Sequence, residues 1–354
     1  MTAEDRKQYH HKRPLMIIIS IVLLVIILAL SIYSLKVNSF ELTFEQAFKA
    51  VMNRIKGIQP ETYYEEMVDY VTIDVNGPRT VAAILVGMTL AICGSVMQTL
   101  TRNPLTDPYT IGISSAALFG VTISISLGIN IIPWLDGDPG KIANAFIFAL
   151  VPAMAIVFIS SFKKISPTMM ILIGIGMMYV FSAFNTFLKV NADEEKLQEI
   201  YIWSIGTLTS TVWEEIIPIT IGCLLVLISF MVLSKRINVL LAGDNLSHSL
   251  GVNPVKLRII CFIIISVGVA ICVCFTGTIG FVGLVAPHIA RLFTGSNNKV
   301  LIPASALIGA LMILVGDIIV RSLPGGLPVG VVTALIGSPI FIYFLFKQRR
   351  NAAF

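Results

Sequence analysis

The chain has 354 residues, of which 56% are apolar and only 13% are charged, and its formal net charge is +5. Soluble domains average about 25% charged residues, so this composition excludes an ordinary soluble enzyme and a disordered chain. The mean hydropathy of +0.88 over the whole length exceeds what one anchor helix on a soluble body would give. The composition therefore indicates a polytopic membrane protein.

Apolar runs long enough to cross the membrane recur along the whole chain. A helix rises about 1.5 Å per residue, so about 20 apolar residues span the hydrocarbon core. Ten runs predict an all-α bundle of about ten transmembrane helices that forms one domain over residues 1–354. The runs are 15–35, 79–100, 109–132, 142–162, 167–189, 213–234, 258–275, 279–293, 300–320 and 328–346. The shortest, 279–293, has a half-helix or a tilted segment as its alternative.

The distribution of charge predicts the orientation of this bundle. With the N-terminus inside, the cytoplasmic side carries 16 of the 25 basic residues and only four of the 20 acidic residues. This asymmetry follows the positive-inside rule, so both termini are predicted to be cytoplasmic. The tail 1–14 then meets anionic lipid headgroups, 36–78 is an extracytoplasmic loop, and 235–257 is the longest cytoplasmic loop. The positive net charge thus reflects topology, and we predict no nucleic-acid partner.

Two outer segments are predicted to hold short helices. The acids and aromatic residues of 36–78 indicate a small ordered cap, with a helix in Thr43–Phe48. The second segment, Asn191–Trp213, is expected to contain a short helix near the membrane surface.

Residues for catalysis or ion relay are sparse in the spans. Their central parts carry no ionisable group, which argues against a proton-coupled carrier but not against a sodium-coupled one. Asp317 and Arg321 lie one helical turn apart and are expected to pair. The chain has no phosphate-binding loop and no hydrolase motif, and its five cysteines lack metal-ligand spacing. We therefore predict no enzyme activity, no bound cofactor and no metal site.

Glycine and proline mark close contacts and turns. Helix packing is typical of glycines within spans, here Gly87, Gly94, Gly174, Gly176, Gly277, Gly280, Gly283, Gly309 and Gly316. The segment Asn103–Pro108 follows the second span at the cytoplasmic face. Its asparagine, aspartate and prolines favour a rigid turn, with a gate as the alternative.

The longest cytoplasmic loop contains a pattern that the other connections lack. Asp244 is a candidate N-cap, Leu246 and Leu250 fall on one helix face, and Gly251 suits a C-terminal stop. The pattern predicts a short amphipathic helix that begins after Gly243. Since this loop has no core of its own, the apolar face is expected to bind a partner protein, with the membrane surface as the alternative.

A series of sequence blocks lies in order along the chain. The blocks are Pro78-Arg79, Gln98-x4-Asn103-Pro104-Leu105-x-x-Pro108, Gly112-Ile113-Ser114, Trp203-x-x-Gly206-x-Leu208, Gly243-Asp244-x-x-Ser247-x-x-Leu250-Gly251-Val252, Gly280 to Arg291, Asp317-x3-Arg321 and Leu327 to Pro339. With these blocks the chain resembles the FecCD permeases over nearly its whole length from residue 79 onward. This family of ATP-binding-cassette (ABC) importer permeases includes the vitamin B12, haem and iron–siderophore importers.

The resemblance implies a type II ABC importer permease. Such a subunit pairs with a second permease copy as a homodimer or close heterodimer. It also binds two cytoplasmic ATPase subunits, which use ATP and Mg²⁺, and an extracytoplasmic substrate-binding protein. The implied function is import of an iron complex (siderophore or haem) or cobalamin across the cytoplasmic membrane. The residues do not choose among these substrates, and a stand-alone secondary carrier or channel is the alternative function.

The resemblance also assigns roles to individual residues. The ATPase-coupling segment comprises Gly243, Asp244, Leu246, Ser247, Leu250 and Gly251. The cytoplasmic gate matches Asn103, Leu105, Pro167 and Thr168. Arg79 and Arg321 would receive acidic residues of the binding protein, although Arg321 has neutralisation of Asp317 as its alternative role.

Some residues depart from the family pattern or keep a plainer role. Asn76 stands where the family often has another arginine, and Pro324-Gly325-Gly326 departs from the family's outer turn. Packing is favoured for His288, and Arg291 is equally a positive-inside anchor.

Overall fold

The computed structural model describes residues 3–38, 42–162, 166–323 and 327–351, and these residues form only helices and connecting segments. A π-helical segment (Tyr70–Val75) precedes α4, and a 3₁₀ segment (Pro108–Ile111) precedes α5. The α-helices are α1 (Ala3–Ser34), α2 (Phe44–Lys56), α3 (Tyr63–Asp69), α4 (Asn76–Thr101), α5 (Ile113–Leu127), α6 (Asp138–Phe162), α7 (Pro167–Val190), α8 (Glu194–Ile205), α9 (Trp213–Leu240), α10 (Asp244–Ser249), α11 (Pro254–Thr276), α12 (Val282–Thr294), α13 (Asn298–Ser322) and α14 (Val329–Asn351).

A helix occupies each of the ten predicted runs, which confirms the all-α architecture and the multi-pass membrane class. Within the described part of the chain, seven helical stretches are long and apolar enough to cross a membrane. Three further helices, α5, α12 and the apolar part of α14, are shorter. The count of ten full spans and the cytoplasmic position of both termini therefore stay predictions.

Helix α4 lies at the centre of the bundle and runs antiparallel to α13. The two helices touch in register at three levels: Arg79 on Asp317, Gly87 on Gly309 and Thr99 on Asn298. A Cβ on Gly87 would lie only 2.3 Å from the carbonyl oxygen of Gly309. Only glycine permits this approach of the two backbones, so the predicted packing role of Gly87 and Gly309 is confirmed.

Helix α12 is a short helix preceded by extended backbone. Its 13 residues rise about 20 Å, less than the hydrocarbon thickness of about 30 Å. Near its first turn, a Cβ on Gly94 would lie 1.9 Å from the Gly283 carbonyl oxygen, so α12 begins against the inner half of α4. This geometry agrees with the half-helix alternative for the run 279–293.

Neighbouring loops bond to the last residue of α11 and pack against the non-helical segment 277–281 that follows it. The Thr207 amide donates to the Thr276 carbonyl oxygen at 2.8 Å, and the Gly330 amide donates to Gly206 at 3.1 Å. A Cβ on Gly277 would lie 2.3 Å from the Trp203 carbonyl oxygen. Such internal pairing is what permits irregular backbone inside a membrane bundle.

Several predicted boundaries were wrong. The α-helical part of the run 109–132 is limited to α5, because Gly112 (φ +83°) and Gly128 (φ +67°) take left-handed conformations at the two ends of that helix. Helix α9 continues through Lys235 and Arg236 to Leu240, since these side chains remain exposed and do not oppose helix formation. The predicted loop 235–257 is thus reduced to the segment 241–253 around α10.

The described residues of the loop 36–78 form helices, which confirms the prediction of a small ordered cap on the bundle that contains a helix. Thr43 and Gln46 form a capping box at the start of α2, as expected for this residue pair. Helices α2 and α3 pack around a small apolar cluster of Leu42, Ala50 and Val68. Helix α8 likewise confirms the short helix predicted in the second outer segment.

Charged clusters mark the two ends of the bundle. Arg79, Asp317 and Arg321 lie at the end that carries the cap, and this is the end predicted to be outside. Arg102, Asp244 and Arg258 lie together at the other end. These two ends are called the outer end and the inner end below. The five cysteines are free and buried between them, as packing residues.

Candidate coupling site at the inner end

Helix α10 is a single short helix held against the end of α9. Buried Ser247 places its Oγ within 3.0 Å of the Val239 carbonyl oxygen and 2.7 Å of the Gly243 carbonyl oxygen. Gly251 takes a φ of +77° just beyond the helix. The amide of Val252 then donates to the Ser247 carbonyl oxygen at 2.9 Å. The predicted short helix between two glycines is confirmed.

Asp244 does not cap this helix, so the predicted N-cap role was wrong. Gly243 occupies the N-cap position, and Asp244 is the first helical residue. Its carboxylate instead accepts hydrogen bonds from Arg258 Nη1 and Nη2 at 2.8 and 2.7 Å, and from Arg102 Nη2 at 2.8 Å. Charge-assisted bonds to two guanidinium groups are stronger than one bond to a backbone amide.

Arg258 is the residue at this site that sequence reasoning missed. Its place at the start of an apolar run is typical of a positive-inside charge, yet its side chain is fully buried. Besides its bidentate bond to Asp244, its Nε donates to the Leu100 carbonyl oxygen at 3.2 Å, near the C-terminus of α4. A cation near the C-terminus of a helix also interacts favourably with the helix dipole. The available signal was an arginine near the start of α11, just before the long apolar run of that helix.

The electrostatics of the site keep Asp244 ionised. The hydrogen bond from Arg258 lowers the pKa of the Asp244 carboxyl, and the charges of Arg258 and Arg102 act in the same direction. The Asp244 side chain is 37% exposed to solvent, and the Arg102 side chain is 40% exposed. A buried guanidinium and an exposed one therefore share one carboxylate at the surface of the inner end.

The apolar face of α10 has no covering element among the described residues. Leu246 of α10 is 50% exposed, and Leu250, the C-cap residue just after α10, is 59% exposed, while Ser247 between them is buried against α9. Leu241 just before the helix is 41% exposed. The arrangement presents a small apolar surface on a rigid base, as the predicted partner-binding helix requires.

The turn after α4, residues 102–107, is called the inner turn below. Asn103 Oδ1 accepts a hydrogen bond from the Leu105 amide at 3.0 Å, and the Thr101 and Thr106 hydroxyl oxygens lie 2.6 Å apart. Arg102 takes a φ of +50°, which is uncommon for a residue other than glycine. The segment is thus a closely hydrogen-bonded turn, and Leu105 is 45% exposed on it.

The remaining gate candidates lie on a separate element. Pro167 and Thr168 begin α7 after the Ser166 cap, and Lys163 and Lys164 before them lie outside the described residues. Helix α7 reaches the segment after the inner turn through Gly174, whose Cβ would lie 2.5 Å from the Ile111 Cα. The structure therefore joins Asn103 and Leu105 in one turn and places Pro167 and Thr168 on a neighbouring helix.

The predicted docking arginines surround one buried carboxylate at the outer end. Arg79 Nε donates to Asp317 Oδ1 at 2.6 Å, and Arg321 Nη2 donates to Asp317 Oδ2. The side chains of Arg79 and Arg321 are only 8% and 4% exposed. The expected pairing of Asp317 with Arg321 is confirmed, and binding-protein docking stays a prediction. Pro324, Gly325 and Gly326 lie outside the described residues.

The first helix is attached to this outer cluster. Arg321 Nη1 donates to the Ser34 carbonyl oxygen at 3.0 Å, at the end of α1. Asn76, at the position where the resembled family often has an arginine, donates its side-chain amide to the Leu35 carbonyl oxygen at 2.7 Å. The cluster therefore has a structural role in joining α1, α4 and α13.

His288 and Arg291 serve packing and helix contacts. The His288 ring lies 6.1 Å from the Phe341 ring in an edge-to-face arrangement, which confirms its packing role. Arg291 Nη1 donates to Gln98 Oε1 at 2.6 Å and so binds α12 to α4. Among the described residues, no group of three or more His, Cys, Asp or Glu side chains is arranged to hold a metal ion.

Comparison with known proteins agrees with this architecture. The model of the FecCD transport family matches residues 23–347. A relative named as an iron chelatin transport system permease of Helicobacter pylori is 37% identical over 280 residues, which cover 79% of this chain and 83% of the relative. The molybdate import system permease MolB of Haemophilus influenzae is 32% identical over 339 residues, or 95% of this chain and 96% of the relative.

A solved structure is similar over nearly the whole length. It is described as an inward-facing conformation of a metal-chelate type ABC transporter, and it superposes with a TM-score of 0.80 at 30% sequence identity. The match covers 93% of this chain and 99% of that chain. The chain therefore belongs to the FecCD transport family and is an ABC importer permease, a multi-pass transport protein of the cytoplasmic membrane rather than an enzyme.

Proposed function

We propose that this chain forms the transmembrane path of an importer for an iron complex (siderophore or haem) or cobalamin. The observation that carries the proposal is α10, where exposed Leu246 and the following Leu250 lie on a base fixed by Ser247 and Arg258. Iron chelate is the leading substrate class, because a 37% identical relative is named for it. The molybdate relative makes an oxyanion the competing outcome of a substrate test.

The chain works in this proposal with three kinds of partner. Two cytoplasmic ATPase subunits, which use ATP and Mg²⁺, bind α10 of this chain and of a second permease copy. A substrate-binding protein delivers the substrate at the outer end. The chain itself binds no cofactor and needs none, since hydrolysis takes place in the partner ATPases.

Docking of the binding protein at Arg79 and Arg321 remains compatible with their pairing to Asp317. Arg79 Nη2 and Arg321 Nε have no hydrogen-bond partner within the described part of the chain. Both nitrogens are buried, so docking at these arginines requires the outer cluster to open and expose them. Two cations on one internal carboxylate also leave the outer cluster with a net positive charge, which favours an acidic partner.

Transport then consists of a change between outward-open and inward-open states. Closure of the ATPase pair displaces α10, and the displacement opens or closes a constriction formed by Asn103, Leu105, Pro167 and Thr168. A largely uncharged path suits a bulky chelate, because it holds the substrate weakly enough to release it.

Purification of the tagged chain from its native membrane in mild detergent tests the proposal. We expect an ATPase to copurify in about equal amount, and to be lost from Leu246→Asp and Leu250→Asp variants because a charge enters the apolar contact. Ile55→Asp is the matched control, since Ile55 is 75% exposed on α2 at the other end of the molecule. Copurification that survives both α10 substitutions would contradict the coupling role.

The alternative function, a stand-alone secondary carrier or channel, predicts a different result in reconstituted vesicles. Uptake by the purified chain alone, driven by an ion gradient and without ATP, would support it. Uptake that requires the copurified ATPase, ATP and the binding protein supports the importer. The binding protein can then be titrated with ferric siderophore, haem, cobalamin and molybdate to identify the substrate.

A further inference from the structure

We propose that the contacts of Asp244 transmit a displacement of α10 to the inner turn and to α4. This inference rests on the proposed function, because it takes α10 as the helix that the ATPase moves. Three features of the inner end carry the movement into the membrane part: a shared carboxylate, a rigid turn and an anchored helix end.

The first step is the shared carboxylate. Asp244 lies at the start of α10, and both of its oxygens are bonded to arginines from other elements. Arg258 comes from α11 and is fully buried, so its position is fixed by the surrounding core. Arg102 comes from the inner turn and approaches from the solvent side. A displacement of α10 must therefore either lengthen the hydrogen bonds from Asp244 to Arg258 and Arg102 or move these two arginines with it.

The second step is the stiffness of the inner turn. Arg102 directly precedes Asn103, whose side chain accepts the Leu105 amide and whose carbonyl oxygen accepts the Thr106 hydroxyl at 2.5 Å. The Asn103 amide in turn donates to the Gln98 carbonyl oxygen at 3.2 Å. These hydrogen bonds make the inner turn rigid. A displacement of Arg102 therefore moves Leu105 as well and does not change the conformation of the turn.

The third step is the anchorage of the α4 C-terminus. Arg258 Nε binds the Leu100 carbonyl oxygen, so the same guanidinium contacts α10 and the end of α4. Gln98 donates to the carbonyl oxygens of Gly283 and Leu284 in α12 at 3.3 and 3.2 Å. Thr99 contacts Asn298 of α13. The end of α4 is thus connected to the helices that would have to move together during transport.

Arg102 is the residue with which to test transmission through Asp244. It is 40% exposed, and only one hydrogen bond ties it to Asp244, so its loss leaves the buried Arg258 pair in place. Arg102→Met keeps an unbranched aliphatic side chain and removes the charge, while Arg102→Lys restores a cation. Arg236→Met is the matched control, because Arg236 is an exposed arginine of α9 at the same end.

The reporter is a single cysteine at Leu105. All five native cysteines are buried, so Leu105→Cys adds the exposed thiol that a polar maleimide labels. The complex with its copurified ATPase is labelled without nucleotide and after trapping with ATP and vanadate. We expect trapping to change the labelling rate in the Leu105→Cys protein and in its Arg236→Met form. In the Arg102→Met form we expect this response to be lost, and in the Arg102→Lys form to return.

A functional readout separates coupling from assembly. In vesicles that contain the complex and its binding protein, Arg102→Met should keep ATPase association and ATP hydrolysis but lower uptake per ATP by about tenfold, within the range for mutations along coupled networks. An unchanged labelling response and unchanged uptake per ATP in Arg102→Met would overturn the inference. Failure of the ATPase to copurify with the unmodified chain would instead overturn the proposed function.

Discussion

The Asp317 carboxylate is surrounded by two guanidinium groups and has no exposed surface. Removing one partner from a buried ion pair costs about 3–5 kcal/mol, because the remaining charge stays desolvated. We therefore expect Asp317→Asn to lower the thermal stability of the detergent-solubilised protein markedly, since Arg79 and Arg321 would face each other without a counter-charge. Thermal unfolding monitored by circular dichroism measures the effect.

The control for this substitution is Asp136→Asn at an exposed position in the loop before α6. It removes the same charge without affecting a buried partner, so its melting temperature should match that of the unmodified protein. Equal melting temperatures for Asp317→Asn and Asp136→Asn would show that the outer cluster contributes nothing to stability.

Asp107, in the inner turn, is expected to make the stability of the protein depend on pH. Burial raises the pKa of its carboxyl from 3.8 to about 6. A folded-state pKa above the unfolded value means that stability falls as pH rises between these two values, where ionisation favours the unfolded state. Asp107→Asn keeps an oxygen that can accept the Tyr109 amide hydrogen, as Oδ1 does at 2.8 Å, and cannot ionise.

We therefore expect Asp107→Asn to melt above the unmodified protein at pH 7.5, with the difference shrinking as the pH falls below about 6. Melting curves at pH 5.0, 6.0 and 7.5 provide the measurement, again with Asp136→Asn as the control for charge removal. A difference that stays constant with pH would show that the Asp107 carboxyl titrates normally.

At the scale of elements, glycine decides how closely the helices approach. A Cβ on Gly94 would lie 1.9 Å from the Gly283 carbonyl oxygen, whereas a Cβ on Gly176 meets no atom within 4 Å. We expect Gly94→Ala to destabilise the protein by about 3 kcal/mol or to prevent its accumulation, because α4 and α12 must separate. Gly176→Ala should be neutral or slightly stabilising, since alanine is the better helix former.

Expression level in the membrane and the detergent melting temperature distinguish these two substitutions. The pair is matched in chemistry and in helical context, so propensity alone predicts the same small gain for both. Wild-type stability of Gly94→Ala would mean that the contact between α4 and α12 is looser than the structure shows.

The same two glycines show what a sequence pattern can predict about an element. Glycine within an apolar run indicated helix packing in general, and it correctly described Gly94. It did not separate Gly94 from Gly176, because the requirement for glycine comes from the backbone of another helix. The N-cap prediction for Asp244 failed for a similar reason: local spacing favoured a cap, but arginines from two other elements bind the carboxylate more strongly.

At the scale of the whole molecule, the predicted topology has a direct test. Lys56→Cys lies at the end of α2 and Ser249→Cys at the end of α10, and both positions are exposed while the native cysteines are buried. In right-side-out vesicles, an impermeant maleimide should label Lys56→Cys at once. It should label Ser249→Cys only after permeabilisation, because the positive-inside rule places α10 in the cytoplasm.

Ser296→Cys extends this test to the short helix α12. Ser296 is exposed in the segment between α12 and α13, and the ten-span topology places it inside. Labelling of Ser296→Cys in intact right-side-out vesicles would contradict that topology and would put the α12–α13 connection on the outer side.

The sequence by itself determined the multi-pass class, the positions of the ten apolar helices, the glycine-bounded helix α10 and the pairing of Asp317 with Arg321. These features depend on hydropathy and on spacings within one helix or one loop, which neighbouring residues fix. Only the tertiary structure decided that Arg79 shares Asp317, 238 residues away, and that Arg102 and Arg258 meet on Asp244. Such contacts depend on which helices are neighbours and at what depth they cross, and packing of the whole bundle sets both.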